Sequence, residues 1–100
     1  MNYNRHVEIT TDLAVATVNF KTKRETAGDF DEGKYNFQPQ AFMISKAAGG
    51  VEPLAFKTVG NNTEALLQFE PNIIHHGILL AEINKTGSTT EKLVIFGNTY

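Results

Sequence analysis

The chain has 100 residues, of which 41% are hydrophobic and 20% are charged, and it contains no cysteine. This composition indicates one globular domain and excludes a disordered chain or a disulfide-stabilised scaffold. The formal net charge of −2 gives no electrostatic reason to expect nucleic acid or an anionic membrane as a partner.

No segment of the sequence has the pattern of a membrane anchor or a secretory signal. The longest apolar runs, such as Ile78–Ala81, are far too short to span a bilayer. Residues 1–6 lack the basic and apolar regions of a signal peptide. We therefore expect a single domain over residues 1–100 that is not secreted by a signal peptide and does not enter a membrane.

The first twenty-one residues predict two strands. Polar and apolar residues alternate from His6 to Thr10, which is typical of a half-buried strand. Leu13–Lys21 predicts a longer second strand, because the β-branched and aromatic residues from Val15 to Phe20 disfavour a helix.

Residues 22–38 show neither a helical nor a strand period. Charged residues are scattered through the segment, and Gly28 and Gly33 interrupt it. We predict one long loop, which in a compact domain usually has a function or makes a contact. Its aromatic residues are Phe30, Tyr35 and Phe37. They are candidates for anchoring a partner.

Two further strands are predicted on either side of a glycine pair. Ala41–Lys46 follows Pro39, which places the beginning or the edge of a strand there. Ala47–Gly50 predicts a hairpin, and Val51–Thr58 returns. Pro53 suggests that the returning strand also lies at an edge.

The last forty residues carry the clearest strand pattern. Glu64–Glu70 alternates, with Ala65, Leu67 and Phe69 predicted to face inward. Pro71–Gly77 fits one helical turn that crosses to the other sheet. Ile78–Ile83 is apolar on both faces, so this strand is either central or covered by another chain. Glu91–Phe96 closes the domain.

Short strands at intervals of about ten residues predict the fold class. We predict an all-β, two-sheet antiparallel, immunoglobulin-like sandwich of about seven strands, with one long loop over residues 22–38.

No catalytic or metal-binding pattern is present. His75 and His76 are adjacent and would point to opposite faces of a strand, which disfavours a shared metal and favours a corner-filling or solvent-exposed role, with a pH-sensitive contact as an alternative. Ser45 and Ser88 lie outside any Gly-x-Ser-x-Gly motif. We predict a protein that is not an enzyme and that uses no catalytic residue, metal or cofactor.

The apolar strands have more apolar surface than one small core consumes, which favours protein–protein contacts. The alternative is that these residues face the second sheet after a one-residue bulge. The candidate interface residues are Phe30, Tyr35, Phe37, Met43, Leu66, Ile78, Leu80 and Val94.

The order of several segments resembles a known family. An early strand at Ile9 and Thr10 leads into Val15–Phe20, and Ala41–Lys46 runs into Gly49-Gly50. Ala65–Phe69 then precedes the corner, and Gly77–Ile83 precedes a turn and a closing strand. This order resembles the N-terminal domain of phage baseplate upper proteins, most clearly from Gln40 onward. Those domains are small β-sandwiches that anchor a receptor-binding module to the virion.

The resemblance implies a structural or adaptor protein of a phage virion, anchored in the baseplate, the tail or a head fibre. Its partners would be other virion proteins or copies of itself, with a homo-oligomer such as a trimer expected. It would be assembled in the bacterial cytoplasm and located in the virion. Two alternatives stay open, namely a carbohydrate- or ligand-binding sandwich that uses its aromatic residues for stacking, and a small phage-encoded inhibitor of a host protein.

Overall fold

A computed structural model describes residues 2–25 and 34–99 of the chain. Strands dominate these residues, with two helices of six residues each. The elements are β1 (Arg5–Glu8), α1 (Thr10–Val15), β2 (Val18–Asn19), α2 (Phe20–Glu25), β3 (Phe37–Ser45), β4 (Glu52–Thr58), β5 (Ala65–Phe69), β6 (His75–His76), β7 (Leu80–Ile83) and β8 (Lys92–Thr99). Neither helix has the length or the apolar character needed to cross a membrane.

The strands form two four-stranded antiparallel sheets. Sheet 1 has the order β1-β8-β3-β6, and sheet 2 has the order β2-β7-β4-β5. The first strand therefore pairs with the eighth, the second with the seventh, the third with the sixth and the fourth with the fifth. One long antiparallel ribbon folded over itself produces this order, which is that of an eight-stranded jelly roll.

The predicted all-β, two-sheet antiparallel sandwich is confirmed. The connections between its strands are those of a jelly roll, whereas an immunoglobulin domain places strands A, B, E and D in one sheet and C, F and G in the other. The difference arises because β8 lies between β1 and β3.

The prediction of one strand over Leu13–Lys21 is wrong. The segment forms the second half of α1, then the two residues of β2, and then the first two residues of α2. Leu13, Val18 and Phe20 bury their side chains, while Val15 is 77% exposed. The chain has to cross from sheet 1 to sheet 2 here, and two helical turns bury these apolar side chains where a straight strand could not. Tertiary context overrides the local β propensity.

Pro39 and Pro53 lie in central strands rather than at edges. Pro39 is inside β3, where the register with β8 shifts between Pro39 and Ala41. Such an irregularity accommodates a residue without an N–H group. The Pro53 carbonyl accepts a hydrogen bond from the backbone N–H of Thr89 (2.8 Å). The nitrogen of Pro53 points to the same side as its carbonyl group. It therefore faces the turn after β7, beyond the end of the β4–β7 ladder.

Two connections also differ from the sequence interpretation. Gly49 and Gly50 lie between β3 and β4, which belong to different sheets, so they form a crossing rather than a hairpin. Residues 71–77 cross from sheet 2 to sheet 1 as predicted, but they form a turn and the short strand β6 instead of a helical turn. Strand β7 is central in sheet 2, which is one of the two predicted options for Ile78–Ile83.

Aromatic side chains fill the space between the sheets on the side where β5 and β6 lie. The ring of Phe42 on β3 meets the edge of Phe69 on β5, with centroids 4.8 Å apart. His75 lies 5.1 Å from Phe42 and 5.0 Å from Phe69, and its Nε2 atom is 2.8 Å from the carbonyl oxygen of Glu70. His75 thus has the corner-filling role that the sequence predicts.

Gly97 provides the sharpest test of this packing. It lies on β8, and a Cβ atom at this position would stand 2.2 Å from the carbonyl oxygen of Gln38 and 2.4 Å from the Phe37 ring. We expect Gly97→Ala to destabilise the domain by about 3 kcal/mol and to lower the Tm by roughly 10–25 °C. Thermal unfolding followed by circular dichroism measures this change.

Gly50→Ala is the matched control, because a Cβ atom at Gly50 meets nothing within 4 Å. Equal Tm values for the two variants would contradict the observed register of β3 and β8.

Candidate interaction surface

Half of the candidate interface residues are buried. Leu80 is fully buried, and Tyr35, Phe37 and Val94 are between 2% and 8% exposed. Met43 and Ile78 are half-buried, and Ile78 packs against the core. Phe30 lies outside the described residues. Of the set, Leu66 is the one described member with a largely exposed side chain, at 61%.

Tyr35 is buried because α1 and α2 hold it in place. Its hydroxyl group donates a hydrogen bond to the Asp12 carboxylate, and its ring lies 6.2 Å from that of Phe20. Lys34 Nζ also bonds to Asp12, at 2.6 Å. Burial by itself would raise the pKa of Asp12, but the hydrogen bonds from Lys34 and Tyr35 and the charges of Lys34 and Lys23 lower it. This aromatic residue stabilises the fold and is not available to a partner.

The edge strand β5 is the most accessible apolar element of the described structure. The four edge strands are β1, β6, β2 and β5. Of these, β2 and β6 have two residues each, and β1 carries Arg5 and Glu8. Short or charged edges resist pairing with another chain. In contrast, β5 has five residues, Ala-Leu-Leu-Gln-Phe, and no charge.

The hydrogen bonds of β4 show which backbone groups of β5 are free. The Ala55 N–H donates to Ser88 Oγ (3.0 Å) and its carbonyl accepts from Asn84 N–H (2.8 Å). Ala55 and Pro53 thus direct their backbone groups away from β5. Their partners in the register are Leu66 and Gln68. In an antiparallel ladder these two residues must point their own N–H and C=O groups outward.

Exposed apolar side chains accompany these groups. Leu66 lies on the outer face of sheet 2, opposite Ala55, and Leu67 lies on the face toward the core, opposite Leu54. Leu67 is nevertheless 52% exposed, because the sandwich is open at its rim. Val59 and Leu79 are exposed at one end of the sheet, where Val59 N–H donates to the Leu79 carbonyl (2.9 Å). The alternating sequence pattern assigns Leu67 to the interior. The pattern contains no information about which strand is at an edge, so it does not predict this exposure.

The outer face of sheet 1 carries a row of aromatic rings. His6, Phe96, Ala41 and His76 are consecutive partners across four strands, and Ala41 is fully buried between its larger neighbours. Tyr3 stacks on His76 with centroids 5.7 Å apart and lies 6.0 Å from Phe96. Its hydroxyl group is 2.6 Å from His76 Nδ1. We call Tyr3, His6, Phe96 and His76 the aromatic row.

No cluster of three or more potential metal ligands occurs in the described parts of the chain.

A charged network closes the end of the core where β3 crosses to β4. Lys46 follows β3 and pairs with Glu52 on β4 at 2.6 Å, and Thr89 Oγ1 donates to the same carboxylate at 2.7 Å. Asn72, at a positive φ of 66°, accepts from Lys46 N–H and donates to the Lys46 carbonyl. The hydrogen bonds from Lys46 and Thr89 lower the pKa of Glu52. Three connections between the sheets are thereby fixed together.

No family model, curated protein or solved structure matches this chain.

The network at Glu52 predicts a pH-dependent stability. Because its pKa is lower in the folded protein, its contribution is fully present above the unfolded value of about 4.3. It is lost as the pH falls through the folded value. We expect Glu52→Gln to lower the urea midpoint at pH 7 and the difference from wild type to shrink at pH 3. Glu91→Gln, in the same turn as Thr89, is the control, and a difference for Glu52→Gln that does not change with pH would contradict this role.

Proposed function

We propose that this jelly-roll domain is a non-enzymatic structural or adaptor component of a phage virion that acts through protein–protein contacts. The observation that carries the proposal is the free edge of β5, which combines outward backbone groups at Leu66 and Gln68 with exposed leucine side chains. The resemblance to the N-terminal domain of baseplate upper proteins supports the virion as its place of action. Jelly rolls also occur in viral capsid proteins, which is a fold-level analogy.

An edge of this kind favours a defined mode of contact. An extended segment of another chain can add to sheet 2 beside β5, with main-chain hydrogen bonds providing affinity and alternate side chains providing specificity. The proposed partners are other virion proteins or further copies of this chain. The Ser88 hydroxyl hydrogen-bonds to the backbone of Ala55 and Asn84, which supports a role other than catalysis.

Co-expression with the products of the neighbouring genes tests this function. We expect affinity capture to recover a stoichiometric complex with a virion structural protein. Leu66→Lys should abolish the complex, because a lysine on an edge strand opposes pairing. Leu79→Lys is the matched control, since Leu79 is also exposed but lies outside β5. Capture of a host protein alone, or equal losses in both variants, would contradict the proposal.

The aromatic row favours carbohydrate binding as a second candidate function. The rings of His6 and His76 are exposed, and those of Tyr3 and Phe96 are half-buried. They lie beside the amides of Asn4, Asn98 and Gln40, which hydrogen-bond among themselves and to Thr99, and together they resemble a surface on which a sugar can stack. We assign this role to Tyr3, His6, Phe96 and His76, because Tyr35 and Phe37 are buried and Phe30 lies outside the described residues. This function would not require the β5 edge.

A glycan array distinguishes the second candidate. If sugars bind at the aromatic row, we expect Tyr3→Ala to lower the affinity at least tenfold by removing a stacking ring, while Leu66→Lys binds normally. Absence of selective glycan binding by the wild-type protein would eliminate this candidate.

A further inference from the structure

The charges around β5 restrict the partner that its free edge can accept. Residues 59–74 contain two carboxylates, Glu64 and Glu70, and neither lysine nor arginine. These carboxylates flank the five uncharged residues of β5, one on each side, and both side chains are exposed. The free edge is therefore an apolar strand with a negative charge at each end.

The described structure does not neutralise these two charges. Glu64 Oε1 accepts a hydrogen bond from Asn84 Nδ2 (2.8 Å), but the amide is neutral. Lys57, on the adjacent strand β4, is 3.5 Å from Glu82 and pairs with it. Among the described residues no ion pair includes Glu64 or Glu70.

A second copy of this chain would meet like charges at this edge. An antiparallel pair of β5 strands that overlaps all five residues places Leu66 opposite Gln68 of the other copy, so that their outward backbone groups can bond. The same register places Glu64 opposite Glu70 of the other copy, at both ends of the ladder. Like charges directly opposite each other are destabilising. A register shifted by two residues separates the carboxylates, but one end of each strand then extends beyond the other strand and has no partner there.

We infer that the β5 edge accepts an extended strand from a different protein, apolar in its middle and carrying lysine or arginine at both ends. The two basic residues are six positions apart, because they must lie opposite Glu64 and Glu70 in an antiparallel ladder. This inference rests on the proposed function and defines the chemistry of its partner. Contacts between copies of this chain would then use another surface.

Two synthetic peptides test the inference against the full chain. One has the sequence Lys-Thr-Val-Thr-Val-Thr-Lys with blocked termini, and the other has glutamate at both ends. NMR titration of the backbone amides to millimolar peptide measures affinity and location together. We expect the lysine peptide to bind roughly tenfold more tightly than the glutamate peptide and to shift Leu66 and Gln68. Added salt should reduce the difference.

The double variant Glu64→Lys, Glu70→Lys is the charge-reversal control for this experiment. We expect it to prefer the glutamate peptide, because the sign of the charge at each end is reversed. Neither residue is buried, so folding should be preserved, and the amide spectrum verifies this.

The possible results separate the inference from the proposed function. If both peptides bind equally at β5, the charge selection is overturned while docking at the edge stands. If neither peptide binds, the inference and edge docking both fail. If the wild-type chain instead forms dimers that Leu66→Lys dissociates, the inference of a different protein is overturned while an assembly function stands.

Discussion

The ladder between β3 and β8 is the interaction on which the rest of the domain depends. It joins Phe37–Ser45 to Lys92–Thr99 in the middle of sheet 1 and sets the inward faces of both strands. Since these strands are about fifty residues apart in the sequence, their pairing obliges the intervening chain to return as sheet 2 and β6. Gly97 allows the ladder to form, because its missing side chain leaves room for the Phe37 ring.

The local pattern of the sequence predicts strands well where the chain runs straight and poorly where it changes sheets. Strand β5 begins at the first and ends at the last of the residues that are predicted to face inward, Ala65 and Phe69. The two-sheet sandwich is confirmed. Side-chain propensity predicts a strand over Leu13–Lys21, because it contains no information about the crossing between β1 and β2. The Gly49-Gly50 pair predicts a hairpin for the same reason. A glycine turn is compatible with a hairpin and with a crossing between sheets, and the local sequence does not distinguish them.

Exposure is harder to predict than secondary structure, and this limits what the sequence says about the site. Tyr35 and Phe37 lie in a segment that is predicted to be a loop. Both are nevertheless buried, Tyr35 by its contact with Asp12 and Phe37 by its contact with Gly97. Leu67 follows the inward alternation and remains half exposed, because β5 lies at the rim. Which strand is at the edge is a property of the order of the strands in the sheet. The folded ribbon places β5 beside β4 and gives it no neighbour on its other side within the described structure.

The central claim is that β5 presents unpaired backbone groups at alternate residues, and amide hydrogen exchange measures this directly. In the unbound protein the account predicts rapid exchange at Leu66 and Gln68 and slow exchange at Leu67, whose N–H faces Leu54 of β4. Protection of Leu66 and Gln68 as strong as that of Leu67 in the isolated monomer would contradict it, because their amides would then already have partners.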